Sequence, residues 1–333
     1  MTKRQQFGCV SDHCSSTSII KHGVPQGSVL GPLLFLIGIN DLPNAIEYSD
    51  TTLFADDTNL LYSNKDLQII EQSVNQDLIS LLNWLNANKI ALNATKTEAI
   101  LFRDSKKQIT YKIKLQLSGQ QLEFTSNVKY LGIILDEFLS WSSHLNTLSS
   151  KLRKSNGILS KLRHYLPFKS MISIYHALFN SHLSYASQIW GQNLSATSRP
   201  IKLQKTAVRL ISFADFNSPT QPLFNTTRIL PLLKHIFIAN ISLAYQILNC
   251  KSPISIQQSF DLKYLTDSYT TRGHNAKLLS RPSVRTSSYG LKSIRYQVIL
   301  NWNQLQLKEI DTDLTTISLS KLKSLSRKLL LNS

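Results

Sequence analysis

The chain has 333 residues, with 37 Lys and Arg against 20 Asp and Glu, a formal charge of +17, 42% apolar residues and 17% charged ones. That apolar fraction excludes a mainly disordered polypeptide. The longest apolar stretch, Val29 to Ile39, is interrupted by Gly31, Pro32 and Gly38 and falls short of the roughly 20 residues a bilayer span needs, so no membrane segment is expected. The N-terminal MTKRQQFGCV lacks the apolar core of a secretory signal, which points to an intracellular protein of cytoplasm or nucleus, not a secreted one. Cys9, Cys14 and Cys250 are odd in number and leave at least one thiol unpaired, as fits a reducing compartment.

In chain order, residues 1–22 read as a short hairpin turning at Ser11-Asp12. GVPQGSVLGP is a Gly/Pro-punctuated loop leading into the apolar helix LLFLIGINDL, which ends near Pro43. TTLFADDTNLLYS reads as a strand, an acidic tip and a second strand. From Asp66 to Ala87, Leu67, Ile70, Val74, Leu78, Leu81, Leu82 and Leu85 recur at helical spacing, with Asp66 as N-cap. Thr97 to Arg103, Tyr111 to Leu117, Leu122 to Phe124 and Val128 to Leu135 are short strand-like runs. The strands near 51–62 and 97–103 are expected to share one antiparallel sheet backed by helices 29–40 and 66–87. Helices follow at Leu145 to Tyr165, Met171 to Ile189 and Arg199 to Phe213. Residues 215–228, rich in Asn, Ser, Thr and Pro, read as a linker. The last third holds helices at Leu232 to Leu248, Tyr296 to Leu305 and Leu319 to Leu330 around a polar stretch reaching about Ser288.

The charge is divided along the chain. Residues 1–137 hold 12 basic and 14 acidic side chains, whereas residues 138–333 hold 25 and 6. Between Phe138 and Ala214 there are ten Lys or Arg and no Asp or Glu, so nothing nearby in sequence offsets them and a polyanion, nucleic acid, is the economical partner. Lys151, Arg153, Lys154, Lys161 and Arg163 fall at helical spacing that leaves Leu145, Leu148, Leu152, Leu159 and Leu162 for a core, and such a face tracks phosphates without reading sequence.

The chemistry concentrates at FADDTN. Asp56 and Asp57 lie where the chain must reverse, with no cationic residue within six positions on either side, and hard carboxylate oxygens select Mg²⁺ or Mn²⁺. Ala55 keeps the approach to the acids clear. In GVPQG, Gly23 and Gly27 let backbone approach a bulky ligand, Pro25 fixes the turn, and Gln26 offers a donor and acceptors. Cys9, His13 and Cys14 lack a fourth ligand and match no common zinc spacing, and the eight histidines form no HExxH.

GVPQGSVLGPLLFLIGINDL (23–42), FADDTNL (54–60), LNATKTEAILF (92–102) and VKYLGIILD (128–136) resemble, in order and spacing, motifs B, C, D and E of reverse transcriptases of non-LTR (LINE-type) retrotransposons. The resemblance runs on through a basic helical thumb and, more loosely, through RTSSYGLKSIRYQVILNWNQL (285–305). It implies an RNA-directed DNA polymerase with an RNA template, a DNA primer and dNTPs as partners. Asp56 and Asp57 become the metal ligands, Lys96 the cation at the leaving pyrophosphate, and Pro25, Gln26, Gly27, Phe54 and Ala55 the nucleotide and template contacts. Phe54 stands where relatives often have Tyr. Tyr130, Leu131 and Gly132 resemble the primer grip.

The implied fold is α+β. An incomplete right-hand polymerase palm of antiparallel sheet backed by helices occupies residues 1–137, a basic helical thumb 138–214, a linker 215–228, and a mainly helical C-terminal region 229–333. In this family a further Asp lies in motif A, several dozen residues before motif B, and the sole acid before Gly23 is Asp12. Motif A and the fingers are therefore expected to be missing, Met1 to be a start inside an older reading frame, and the chain alone to hold its metal loosely and be inactive. The alternative is a non-catalytic basic protein, derived from a retrotransposon, that binds RNA or RNA–DNA duplex. No endonuclease or RNase H motif set is apparent.

Overall fold

The computed structural model describes residues 4–20, 27–193, 197–265, 278–309 and 313–331, and the chain divides into two units, 1–128 and 129–333. In the first unit, β1 (Arg4–Gln6), β2 (Cys9–Val10), β3 (His13–Cys14) and β4 (Ser18–Ile20) make a nested hairpin, β2 pairing with β3 inside the pairing of β1 with β4. It turns at Ser11-Asp12, with Ser11 at φ 56°. Cys9 stands directly opposite Cys14 and is joined to it by a disulfide, and Cys250 is the unpaired thiol that the odd count requires. Facing positions on antiparallel strands bring the two Cβ atoms within bonding reach.

The next helix, α1 (Gly31–Ile39), is apolar on nearly every side, so burying one face leaves others in water. Ile39 is buried, while Leu33, Leu36 and Ile37 remain about half exposed. Strands β5 (Asp50–Phe54) and β6 (Asp57–Leu61) form an antiparallel hairpin. Helix α2 (Leu67–Ala87) starts where expected, the Asp66 Oδ1 accepting the Gln68 N–H at 2.8 Å. Its Leu78, Leu81 and Leu85 join Ile39, Leu42 and Ile113 in the core with residues of β7 (Leu115–Leu117) and β8 (Gln120–Leu122). Each such burial contributes about 1.5–3 kcal/mol.

Polar residues on α2 fix what surrounds it. Asp77 is fully buried; its Oδ1 accepts the N–H groups of Glu47 (3.0 Å) and Tyr48 (3.1 Å), and its Oδ2 that of Ser49 (2.7 Å). Glu71 accepts from the Tyr111 hydroxyl and the Lys114 N–H, and the bond to Glu71 pushes the Tyr111 phenol above its ordinary pKa. Asn75 donates to the Lys114 carbonyl and accepts from the Gln116 N–H, both at 2.9 Å.

The expected shared sheet is not formed among the described residues. The β5–β6 ladder stands alone, and residues 97–103 contribute one parallel bridge, Ala99 to Phe124. Ala99 and Leu101, two positions apart, pack on the core from the same side of the segment. The structure is thus a mixture of helices and small antiparallel ladders.

In the second unit β9 (Asn127–Tyr130), whose first residues close the first unit, pairs with β10 (Ile133–Asp136). The buried Asp136 side chain accepts from the N–H groups of Phe138, Ser140 and Trp141 and so fixes the entry to α3 (Ser142–Leu162). The helix expected over 171–189 is interrupted. It runs as α4 (Phe168–Ile174), a π-helical segment Tyr175–Asn180, α5 (Ser181–Ser184) and, after Ala186 at φ 49°, α6 (Ser187–Trp190). Helix α7 (Ser198–Ile211) packs on α3.

Residues 215–228 are not a linker. They contain α8 (Thr220–Thr227), whose Phe224 is 4% exposed in the same core as Leu152, Leu159, Met171 and Val208. One buried aromatic ring outweighs the polar composition around it. Helix α9 (Leu232–Leu248) takes the limits its apolar spacing predicts. A second core joins it to α11 (Ile294–Gln306) and α12 (Leu319–Leu331), and α10 (Ile254–Phe260), within the stretch read as irregular, adds Phe260 to that core. Among the described residues no single helix is long and apolar enough to cross a membrane, and the apolar residues of α9 are largely buried in protein.

Asp77→Ala leaves three backbone donors without their acceptor and is expected to destabilise the first unit by about 2–4 kcal/mol. Hydrogen exchange should show the amides of Glu47, Tyr48 and Ser49 losing protection, while Asp57→Ala, an exposed change, leaves them as they are.

Candidate functional site

The β5–β6 register pairs Phe54 with Asp57, so Ala55 and Asp56 alone make the turn. Asp56 occupies the loop and Asp57 is already the first residue of the returning strand. Ala55 holds φ 52°, a left-handed conformation that costs a non-glycine residue about 1–2 kcal/mol. Hairpin alternation turns Leu53 and Leu60 toward the core and leaves Phe54 and Asp57 side by side on the outer face. Both acids are exposed, and Phe54 is 60% exposed. The hairpin therefore presents two adjacent carboxylates beside an aromatic ring, with neither acid in a salt bridge among the described residues.

The other predicted residues of this unit belong to other segments of the chain. Lys96 is exposed on a short 3₁₀ turn, Ala94–Lys96, and makes no salt bridge to either acid. Gly27 holds φ 79° with open space where a Cβ would go. Pro25 and Gln26 lie outside the described residues. Among the described residues there is no cluster of three or more His, Cys, Asp or Glu side chains placed to hold a metal.

In the second unit Tyr130 ends β9, and Leu131 and Gly132 turn the chain with φ 45° and 81°, the positive pair a two-residue hairpin loop requires. Sequence reading missed the brace on this turn. The Tyr185 hydroxyl donates to the Leu131 carbonyl at 2.5 Å, and its ring lies 3.5 Å from where a Cβ on Gly132 would sit. Tyr185 is 54 residues away in sequence, and no local signal marks it.

Helix α3 sorts its side chains as expected. Leu145, Leu148, Leu152 and Leu159 are buried, Leu162 packs against them, and Lys151, Arg153, Lys154 and Lys161 are exposed. Arg163 lies 6.0 Å from the Phe213 ring centroid and Arg209 lies 5.9 Å from that of Phe216, which is 78% exposed. Exposed rings beside guanidinium groups add stacking surface to a basic face. Their signal in the sequence is only an apolar residue inside a polar turn. His144 is buried against Trp190, and burial followed by the charge of Lys151 pushes its pKa below the ordinary value.

Residues 2–135, the segment with the acidic hairpin, match the family described as reverse transcriptase (RNA-dependent DNA polymerase). The chain carries a reverse transcriptase domain. It is 28% identical over 230 residues to the RNA-directed DNA polymerase from mobile element jockey of Drosophila funebris, covering 65% of this chain and 25% of that protein. It is 31% identical over 218 residues to a probable RNA-directed DNA polymerase from transposon BS of Drosophila melanogaster, covering 61% and 24%. A Pol polyprotein from a type-1 retrotransposable element R1 of Bradysia coprophila is 25% identical over 203 residues, covering 60% and 20%. These alignments are longer than the family match, so similarity extends beyond residues 2–135 into the helical unit. The chain spans about a fifth to a quarter of the length of these curated relatives.

Gly132→Ala forces a side chain into the left-handed region and is expected to destabilise the second unit by about 1–2 kcal/mol. Tyr185→Phe removes one hydrogen bond and should cost about 1 kcal/mol. Midpoints of urea unfolding of the two variants check both values.

Proposed function

We propose that the Asp56–Asp57 hairpin is the acidic limb of a two-metal nucleotidyl-transfer site, and that the chain is the palm and thumb part of an enzyme copying RNA into DNA. The observation that carries this reading is the presentation of two adjacent exposed carboxylates, Asp56 on a two-residue turn and Asp57 opening the returning strand, inside a reverse transcriptase domain. The donor set fits Mg²⁺ or Mn²⁺ in one particular mode. Mg²⁺ is commonly held by one or two carboxylates together with waters and substrate phosphates, so Asp56 as principal ligand and Asp57 as support would hold it only loosely without substrate. When bound, such ions activate the primer 3′-hydroxyl and stabilise the leaving oxygen.

The remaining roles are assigned to this chain's own groups. Contact with the nucleotide and template is assigned to Pro25, Gln26, Gly27, Phe54 and Ala55. Lys96, on a long flexible side chain, neutralises the departing pyrophosphate. The Tyr130–Gly132 turn, stiffened by Tyr185, holds the primer end, and Lys151, Arg153, Lys154, Lys161 and Arg163 track the duplex backbone. Such a protein works where RNA templates are, in cytoplasm or nucleus.

A second reading, a non-catalytic holder of RNA or RNA–DNA duplex, is favoured by the exposed cations of α3 in a stretch without carboxylates. Primer extension separates the two. Two-metal transfer needs a carboxylate on the other side of the ion pair, so residues 1–333 alone should extend no primer on RNA with Mg²⁺ or Mn²⁺. Joining an upstream segment that carries such an acid should restore synthesis, and Asp56→Ala should abolish it again. Synthesis that survives Asp56→Ala would overturn the metal-ligand assignment, and a joined chain that remains inactive would favour the binder.

Binding is expected under both readings. Affinity for duplex should fall steeply as salt rises, with little sequence preference. Reversing Arg153, Lys154, Lys161 and Arg163 to Glu should weaken it about tenfold or more at moderate salt, as filter binding or anisotropy would show.

A further inference from the structure

A cavity of about 750 Å³ opens in the helical unit, and none of the residues assigned above lines it. Its polar lining comes from four places: His176 and Asn180 on the π-helical segment, Asn225 and Arg228 at the end of α8, His235 on α9, and Arg327 on α12. Ile229 and Leu230 form an apolar part of the wall. No carboxylate lines it, and neither guanidinium forms a salt bridge among the described residues.

Two features mark this as more than a gap between helices. The π-helical turn, rare in helices generally and frequent at functional positions, is the segment that supplies His176 and Asn180. Burial, and then the charge of Arg327, push the pKa of His235 below its ordinary value, so at neutral pH this ring offers one N–H donor and one acceptor without adding a positive charge.

We infer that this cavity binds a nucleoside phosphomonoester. Arg228 and Arg327 supply planar forks suited to a doubly charged phosphate, which a diester of the backbone is not. Asn180 and Asn225 carry both donors and acceptors, as reading the edge of a base requires, and Ile229 and Leu230 offer apolar surface for its face. The volume falls within the range of small-ligand sites and is too confined for a duplex. The ligand is either a free mononucleotide or the 5′-phosphorylated end of a single strand. The inference does not rest on the polymerase reading.

The test uses the intact chain and phenylglyoxal, which modifies accessible arginines, with mass spectrometry reporting Arg228 and Arg327. AMP should slow modification of both about tenfold, adenosine should not, and inorganic phosphate should protect less than AMP. A short single-stranded RNA with a 5′-phosphate should protect while its 5′-hydroxyl counterpart does not. Protection by this RNA at concentrations where AMP has no effect identifies the strand end as the ligand; equal protection identifies the free nucleotide. In titration calorimetry, Arg228→Gln with Arg327→Gln should weaken AMP binding at least about tenfold, and Asn225→Leu should weaken it with both arginines in place. If neither phosphorylated probe protects more than its unphosphorylated counterpart, the inference is overturned. It is overturned equally if inorganic phosphate protects as well as AMP. Both readings come from the unaltered chain and stand even where a variant does not fold.

Discussion

Asp77 sits at the centre of α2 with both oxygens committed to the N–H groups of Glu47, Tyr48 and Ser49, and the position of everything from there to residue 62 depends on that commitment. A buried carboxylate is costly unless hydrogen bonds replace its water. Three backbone donors do so here, and in exchange the segment entering β5 has one place to begin. The leucines of α2 supply attraction to the core but no register; Asp77 on one side and Glu71 with Asn75 on the other supply it. The acids at the hairpin tip can thus remain exposed, because the scaffold below them is fixed by other groups. Asp136 repeats the device in the second unit, gathering three N–H groups at the start of α3.

What could be read from the sequence was whatever its own neighbours determine. The apolar spacing of α2 and its Asp66 cap, the limits of α9, the reversal at FADD and the inward leucines of α3 all follow from residues within a few positions of one another. What could not be read required a distant partner. Asp77 looks like one more polar residue on a solvated helix face until residues 47–49 are placed against it. Residues 215–228 have the composition of a linker, and only the core shows that Phe224 makes them a helix. Residues 97–103 have strand chemistry but no strand beside them.

The candidate site divides in the same way. Asp56, Asp57 and the positive-φ turns at Ala55 and Leu131-Gly132 lie in contiguous motifs and are visible in them. Tyr185 and the cavity donors are not, because segments distant in sequence bring them to their places. Buried polar groups also join the helices of the second unit. Gln204 donates to Tyr175 and to the Leu230 carbonyl and accepts from the Leu232 N–H, while burial pushes the Tyr175 pKa up to about 12. Ser155 and Asn156 bond from α3 to the carbonyls of Leu178 and Leu203. These bonds fix the rotation of α3 about its axis, which decides which side of the molecule its cations face.

The apolar surface of α1 has a consequence for how the protein behaves in solution. Leu33, Leu36 and Ile37 are exposed on a molecule whose net charge is +17, so at low ionic strength mutual repulsion keeps these patches apart. Added salt shortens the range of that repulsion to a few ångströms while leaving the attraction between apolar faces intact or strengthened. Solubility should therefore decline as salt is raised, the reverse of salting-in. The ionic conditions that strip nucleic acid from the basic helices are the ones in which copies of the chain begin to adhere to each other.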